Sequence, residues 1–310
     1  MAKLKLGILL WGQCTDWPAM LAAARRVDEL GYDHLWAADH LLADWGDPHQ
    51  PLFEGWTTIA AWATATQRAR LGLTVGANTL RNPGLVAKMV TTIDHVSGGR
   101  AICGLGSGWF ELEHRAHGFD FGSGFGERLD WLDEAAGIVR RLLDGEEVSH
   151  ASARYQIDRA RHAPRPLQAH LPLLIGGVGE RRTLRIVARH ADMWNAIGTV
   201  EELTHKDAVL REHCEAVGRD HREIERTLDI KLLIRDDEAE ARRAWDALMR
   251  ANRVEHFGEP LLLGSPERVA EALRRYRSIG FHTVIIELPA PYDLETIERL
   301  IGEVRPLAGE

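Results

Sequence analysis

What most constrains this chain is its alternation of short apolar, β-forming runs with amphipathic stretches bounded by helix caps. The runs are Leu4 to Leu10, His34 to Ala37, Arg70 to Val75, Arg100 to Leu105, Pro172 to Ile175, Met193 to Ala196, Ile230 to Ile234 and Thr283 to Leu288. After the first run, Asp16-Trp17-Pro18 reads as an N-cap with proline in the first turn, opening a helix that Gly31 stops. Further helices are predicted at Trp56 to Thr66, Pro83 to His95, Glu127 to Leu143, Glu180 to His190, Glu201 to Val217, Glu238 to Arg250, Glu267 to Ile279 and Leu294 to Val304. Strands and helices alternating in 310 residues predict an α/β chain closed as a (β/α)8 TIM barrel with insertions. A doubly wound sheet would want GxGxxG after the first strand, where this chain has Trp11-Gly12-Gln13-Cys14. The segments 41–55, 146–168 and 250–264 are irregular and read as insertions in a single domain, 1–310. Loops of that length in a compact barrel are usually functional, and 41–55 is the natural lid.

Composition narrows the function classes. With 45% hydrophobic and 27% charged residues the chain can bury a sizeable core, which excludes disordered and collagen-like proteins. A net charge of -8 without a basic stripe argues against nucleic acid as a partner. Cys14, Cys103 and Cys214 are far apart and lack zinc spacing, so no disulfide framework or structural metal is expected, in keeping with a cytoplasmic protein. The first apolar run is too short for a signal peptide, and no stretch reaches the length of a membrane span.

Barrel enzymes carry their chemistry at the C-terminal ends of the strands, so those positions form the list of candidates. The turn Ile175-Gly176-Gly177-Val178-Gly179 leads from a strand into a helix whose free N–H groups and dipole suit an anion, phosphate above all. Arg181 and Arg182 then fall in the first helical turn, where the dipole disfavours cations unless an external anion offsets them. The competing reading is a tight turn with two solvated arginines. A second glycine cluster, Gly104 to Gly108, leads to Trp109 and either lies flat against a planar ring or turns the chain.

At the end of the third strand, Thr74-Val75-Gly76 suggests a bulge into the barrel mouth, followed by Asn78 and Arg81, which reach polar edges of a ligand or lie on the surface. Asp39 and His40 are adjacent, so one can hold a ligand while the other faces the reacting atom; the bland alternative is a helix cap beside a buried histidine. Glu111, Glu113 and His114 are further acid and base candidates, Glu113 reading equally as a loop cap. The strand ends lack the converging histidines and carboxylates of a metal-dependent hydrolase, and no GxSxG elbow or Cys/His pairing marks a nucleophile. Histidines such as His49, His117, His150, His162 and His170 need no role.

Taken together, Trp36-Ala37-Ala38-Asp39-His40, Trp56-Thr57-Thr58, Arg81-Asn82-Pro83, Asp94-His95-Val96-Ser97-Gly98-Gly99-Arg100 and Gly104-Leu105-Gly106-Ser107-Gly108-Trp109 resemble the bacterial luciferase-like superfamily. Pro164-Arg165-Pro166-Leu167-Gln168, Ile175-Gly176-Gly177-Val178-Gly179-Glu180 and Ala191-Asp192-Met193-Trp194-Asn195 extend the resemblance over nearly the whole chain, most closely to the F420-dependent oxidoreductase group. That resemblance implies a barrel, often dimeric, with a deazaflavin or flavin in its mouth. Its phosphate would rest at Gly176, Gly177, Gly179, Glu180 and Arg181, and its ring near Asp39, Thr74, Val75, Gly76, Ala77, Asn78, Ser107, Gly108 and Trp109. A non-prolyl cis peptide, common among relatives, would fall at Thr74-Val75.

The catalytic histidine of such relatives maps onto His40, but a glutamate that some of them use is replaced by Trp109, which leaves Glu113 as the nearby carboxylate. A rim of Arg81, Arg181 and Arg182 would offset the net negative charge for an acidic cofactor. The expectation is an oxidoreductase using coenzyme F420 on a small organic substrate, as a homodimer, with no metal, nucleic acid or membrane partner. Its competitors are a reduced-FMN monooxygenase served by a separate flavin reductase, and a non-catalytic flavin-binding protein. Trp11, Trp45, Phe53, Trp109 and Trp194 form an aromatic substrate pocket or pack loops against the barrel.

Overall fold

The computed structural model describes residues 3–255 and 261–309. Its strands are β1 (Lys5–Leu10), β2 (His34–Ala37), β3 (Arg70–Leu73), β4 (Gly76–Ala77), β5 (Ala101–Gly106), β6 (Glu147–Ala151), β7 (Gln156–Arg161), β8 (Leu173–Gly176), β9 (Met193–Ala196), β10 (Glu225–Ile234), β11 (Leu261–Gly264) and β12 (Phe281–Leu288). The helices are α1 (Trp17–Glu29), α2 (Gly55–Ala65), α3 (Pro83–Ser97), α4 (Glu111–His117), α5 (Phe125–Leu143), α6 (Thr183–His190), α7 (Val200–Val217), α8 (Glu238–Ala251), α9 (Pro266–Ser278), α10 (Leu294–Arg299) and α11 (Arg305–Ala308).

Strands covered on both faces must be apolar on both, which is why β1 carries Leu6, Ile8, Leu9 and Leu10 in one run, all buried. The parallel pairing runs β1-β2-β3-β5-β8-β9-β10-β12 and returns from β12 to β1, so the barrel closes. Helices pack outside through apolar stripes: in α1, Met20, Ala23, Ala24 and Val27 face inward at helical spacing, and the Asp16 carboxylate accepts the Ala19 N–H at 2.8 Å. Among the described residues no helix is long and apolar enough to cross a membrane.

The third strand breaks as expected, at a cis Thr74-Val75 peptide bond. β3 therefore stops at Leu73, and Gly76–Ala77 resumes pairing beside Leu105 and Gly106 of β5. The Val75 side chain is thereby wedged between two glycines. A Cβ added at Gly106 would lie 2.5 Å from Val75 Cγ2, and one at Gly176 would lie 2.7 Å from Val75 Cγ1.

Several expectations need correction. Segment 146–168 holds an antiparallel hairpin, β6 with β7, hidden because β7 offers only Ile157 and Ala160 as apolar residues. Segment 250–264 ends in β11, which pairs with β10, and its residues 256–260 lie outside the described residues. β10 starts at Glu225 instead of Ile230. Its charged Arg226 is buried against Asp207, with Nε and Oδ1 2.8 Å apart, so polarity masked a strand. The helix expected from Glu180 begins at Thr183, which puts Arg181 and Arg182 before its first turn. The helix expected over Leu294 to Val304 is broken by a π turn at Leu300–Val304.

Candidate active site

The C-terminal ends of the strands open onto a cavity of about 400 Å³. Nine of the residues assigned to the cofactor by resemblance line it: Asp39, Thr74, Val75, Ala77, Ser107, Gly108, Trp109, Gly176 and Gly177. His40 and Glu113 line it too. Gly76, Gly179, Glu180 and Arg181 lie beyond the lining, and Asn78 is turned away, its amide donating to the Tyr155 hydroxyl at 2.9 Å.

Asp39 follows β2 and is 1% exposed. One of its oxygens, Oδ2, accepts the Ala77 N–H at 2.8 Å and the Arg81 guanidinium at 2.7 Å. The other, Oδ1, is buried and has no hydrogen-bond partner in the protein. Burial pushes the Asp39 carboxyl above the ordinary range, and Arg81 opposes that shift. A buried acceptor without a donor costs free energy, so this oxygen is left with an unmet demand for a donor. Arg81 also pairs with Glu54 at 2.6 Å, which makes it an inward strut and removes it from the expected cationic rim. Arg182 is likewise tied to Asp130, while Arg181 is exposed.

His40 sits between carboxylates. Its Nδ1 lies 3.1 Å from Glu113 Oε1 and its Nε2 lies 3.6 Å from Asp44 Oδ2. Burial by itself lowers the imidazole pKa, but the hydrogen bond to Glu113 and the charges of Asp44, Glu113 and Asp39 outweigh it and raise it to about 9. Burial raises the Glu113 carboxyl, yet His40 and the Leu41 N–H, donating at 2.7 Å, bring it below the usual range. Glu113 is set by α4, a helix missing from the sequence expectations. The next residue, His114, is locked by Thr79 Oγ1 at 2.6 Å and the Phe110 carbonyl at 2.8 Å, so it is structural. Glu111 is exposed and outside the lining. Trp109, 58% exposed, stacks on Phe110 and stands edge-on to His40 at 5.6 Å.

Two glycines are demanded by backbone shape: Gly108 has φ +74° and Gly177 φ +120°. Trp194, for which pocket and packing roles were both open, takes the packing one: it is fully buried and donates its indole N–H to the Gly177 carbonyl at 2.8 Å, fixing the turn before α6. Phe53 packs on Trp17 and is also outside the lining. The segment after β2 is anchored by a buried amide network in which Gln13 and Gln50 both donate to the Trp45 carbonyl, at 3.1 and 2.6 Å.

The opposite wall holds Trp11 and Trp45, two of the aromatics expected at a pocket, but its charged members were missed from sequence: Asp229 and Lys231 of β10, Glu287 of β12, and Asp44. Lys231 Nζ and the Trp11 indole N–H each donate to one Glu287 oxygen, at 2.6 and 2.9 Å. The available signal was charge at a spacing of two inside an apolar strand, Leu228-Asp229-Ile230-Lys231-Leu232, which puts both charges on one face. Among the described residues no group of His, Cys, Asp and Glu is arranged to hold a metal ion.

Comparison with known proteins shows the family and the fold. An uncharacterized protein of Mycobacterium tuberculosis is 29% identical over 187 residues, 60% of this chain and 64% of that protein, so the match spans less than two thirds of that relative. An F420-dependent glucose-6-phosphate dehydrogenase of Kineococcus radiotolerans is 28% identical over 314 residues, 92% of this chain and 91% of that protein. Among solved structures, an F420-dependent secondary alcohol dehydrogenase in complex with an F420-acetone adduct superimposes with a TM-score of 0.85 at 18% identity, covering 100% of both chains, which shows the shared fold. Residues 9–258 match the family described as luciferase-like monooxygenase, and the chain belongs to that family.

Proposed function

We propose that this chain is an oxidoreductase that holds coenzyme F420 across the cavity and exchanges a hydride with a small organic substrate. The observation that carries the reading is Asp39 Oδ1, a buried acceptor in the cavity wall with no protein donor. The pyrimidine edge of a deazaflavin or flavin presents an N–H that would meet that need. The F420-dependent relative aligned over most of this chain supports the same cofactor. The turn before α6 would take the phosphate through the main-chain N–H groups that follow Gly177, whose own N–H is given to the Asn195 carbonyl at 3.0 Å, with exposed Arg181 alongside. The Glu180 carboxylate is held by Lys206 and His205, so that residue would contribute main chain only.

When bound, F420 supplies the hydride-transferring carbon. His40, held protonated at neutral pH between Glu113 and Asp44, gives a proton to a substrate carbonyl oxygen as the carbonyl carbon gains a hydride, forming the alcohol. In the reverse direction deprotonated His40 takes the hydroxyl proton, which favours alcohol oxidation above about pH 9. Glu113 stays ionised and fixes the ring. Trp109 and Phe110 shield this pair. A single domain, a homodimer and a cytoplasmic site of action belong to the same proposal.

One observation favours a second reading. With Arg81 and Arg182 engaged by carboxylates, little of the expected cationic rim is left for a polyglutamate tail, and FMN asks less of it. The reduced-FMN monooxygenase, with a separate reductase as partner, is the alternative. The test is fluorescence titration of the apoprotein with F420 and with FMN, in wild type and in Gly177→Asp. The variant puts a side chain at φ +120°, 3.0 Å from Thr183 Cγ2, and a negative charge at the phosphate turn. Micromolar F420 binding, weaker FMN binding and a loss of about tenfold or more in the variant are expected, about 1.4 kcal/mol. Preference for FMN selects the alternative, and binding of neither refutes both.

A further inference from the structure

The two ends of the cavity differ in sign. At the β8 end the wall is glycine backbone. At the β10 and β12 end it carries Asp44, Asp229 and Glu287 with Lys231, whose ammonium is held by Glu287 at 2.6 Å. Among the described residues, the lining brings the carboxylates Asp39, Asp44, Glu113, Asp229 and Glu287 together with the cationic groups His40 and Lys231, with Arg81 behind Asp39. The formal charge of this set is negative even with His40 protonated. Burial raises the Asp44 carboxyl, and the Glu287 charge adds to the shift against His40, so the acidic groups sense one another.

Between these carboxylates stand Trp11 and Trp45, nearly parallel, with ring centroids 6.0 Å apart and an interplanar angle of 6°. Aromatic faces beside carboxylates attract cations and the C–H faces of rings, and they give an anion nothing to bind. The glutamate in this wall is already engaged at both oxygens, so it acts as fixed charge. Asp44 lies within 3.6 Å of the His40 imidazole, which places the acidic wall beside the proton-carrying group.

We propose that this wall is a substrate subsite which takes a non-anionic molecule, offering hydroxyl or ammonium donors to Asp44 and Asp229 under the fixed charge of Glu287 and a ring or chain to Trp11 and Trp45, and which refuses phosphorylated and carboxylated substrates. The inference rests on the oxidoreductase reading and names the substrate class of that site. A sugar phosphate is therefore a poor substrate for this chain, and an alcohol or amino alcohol a good one.

The test compares three probes that share one ring: cyclohexylammonium, cyclohexanol and cyclohexyl phosphate. Binding to the protein, with and without added F420, is read by tryptophan fluorescence and saturation-transfer NMR. The ammonium and the alcohol are expected to bind about tenfold or more tightly than the phosphate ester, the factor set by about 1.4 kcal/mol. In Glu287→Gln, which removes one negative charge from the wall, and in Asp229→Asn, which removes another, that ratio narrows. Equal or tighter binding of the phosphate, no binding of any probe, or a ratio unchanged in both folded variants overturns the proposal. If neither variant folds, the wild-type ranking decides alone. Titration of the same samples with F420 separates the two claims: cofactor binding without charge discrimination overturns the subsite only, and discrimination without cofactor binding overturns the cofactor assignment only.

Discussion

Val75 wedged between Gly106 and Gly176 makes a quantitative prediction about the strand break that shapes the cavity. Gly176 does not have a left-handed φ, so an alanine there carries no backbone penalty. The cost of Gly176→Ala is a Cβ 2.7 Å from Val75 Cγ1 and 3.3 Å from Cγ2, so Val75 or the strand carrying it must shift to admit the methyl group. Overpacking of this kind costs about 1–3 kcal/mol. Val75→Ala alone loses two methyl groups from a half-buried site, about 1 kcal/mol. In the double variant the collision is gone, so its stability should match Val75→Ala alone, a coupling of about 1–3 kcal/mol. Urea unfolding followed by circular dichroism on the four proteins of the cycle measures it. Additivity within about 0.5 kcal/mol would refute the wedge.

Three further outcomes follow from the charged groups. Glu113→Gln removes the main support of the protonated imidazole, so the His40 midpoint should fall by about a unit or more from about 9; an unchanged NMR titration contradicts this. His40 is raised from 6.5 to about 9 on folding, so it contributes about 3 kcal/mol of stability that is fully present below pH 6.5 and lost as pH rises through about 9. The difference in unfolding free energy between wild type and His40→Gln should therefore shrink over that window, and a constant difference would refute it. Arg81→Met leaves Asp39 buried without its cation and should cost about 3–5 kcal/mol, whereas a surface pair would cost under about 1 kcal/mol, and thermal unfolding distinguishes them.

How much could be read from the sequence depended on what each residue's neighbours already declared. All eight strands of the barrel ring were legible because burial on both faces leaves uninterrupted apolar runs such as Gly7 to Leu10. Asp39, His40 and the glycine turns were legible because strand ends in a barrel point at one place. Arg226 and Asp207 hid the first half of β10, since a charge neutralised by a residue on another element reads as loop in one dimension. The same blindness concealed the acidic wall: Lys231 and Glu287 are 56 positions apart, and only closure of the barrel brings β10 and β12 together. Asn78 was read as facing the ligand and Trp194 as either a pocket or a packing residue, but their polar groups are satisfied by Tyr155 and the Gly177 carbonyl, contacts that require the folded chain.

The central claim is that Asp39 Oδ1 waits for a donor on a ring cofactor. Asp39→Asn tests it at one atom. The Ala77 N–H and Arg81 both point at the same oxygen, so asparagine must keep its carbonyl there and present its NH2 to the cavity, reversing the hydrogen bond offered to the ligand. Titration of the folded variant with F420, beside wild type, should show at least about a tenfold loss of affinity, or about 1.4 kcal/mol. Undiminished binding of F420 by the asparagine variant would contradict the account.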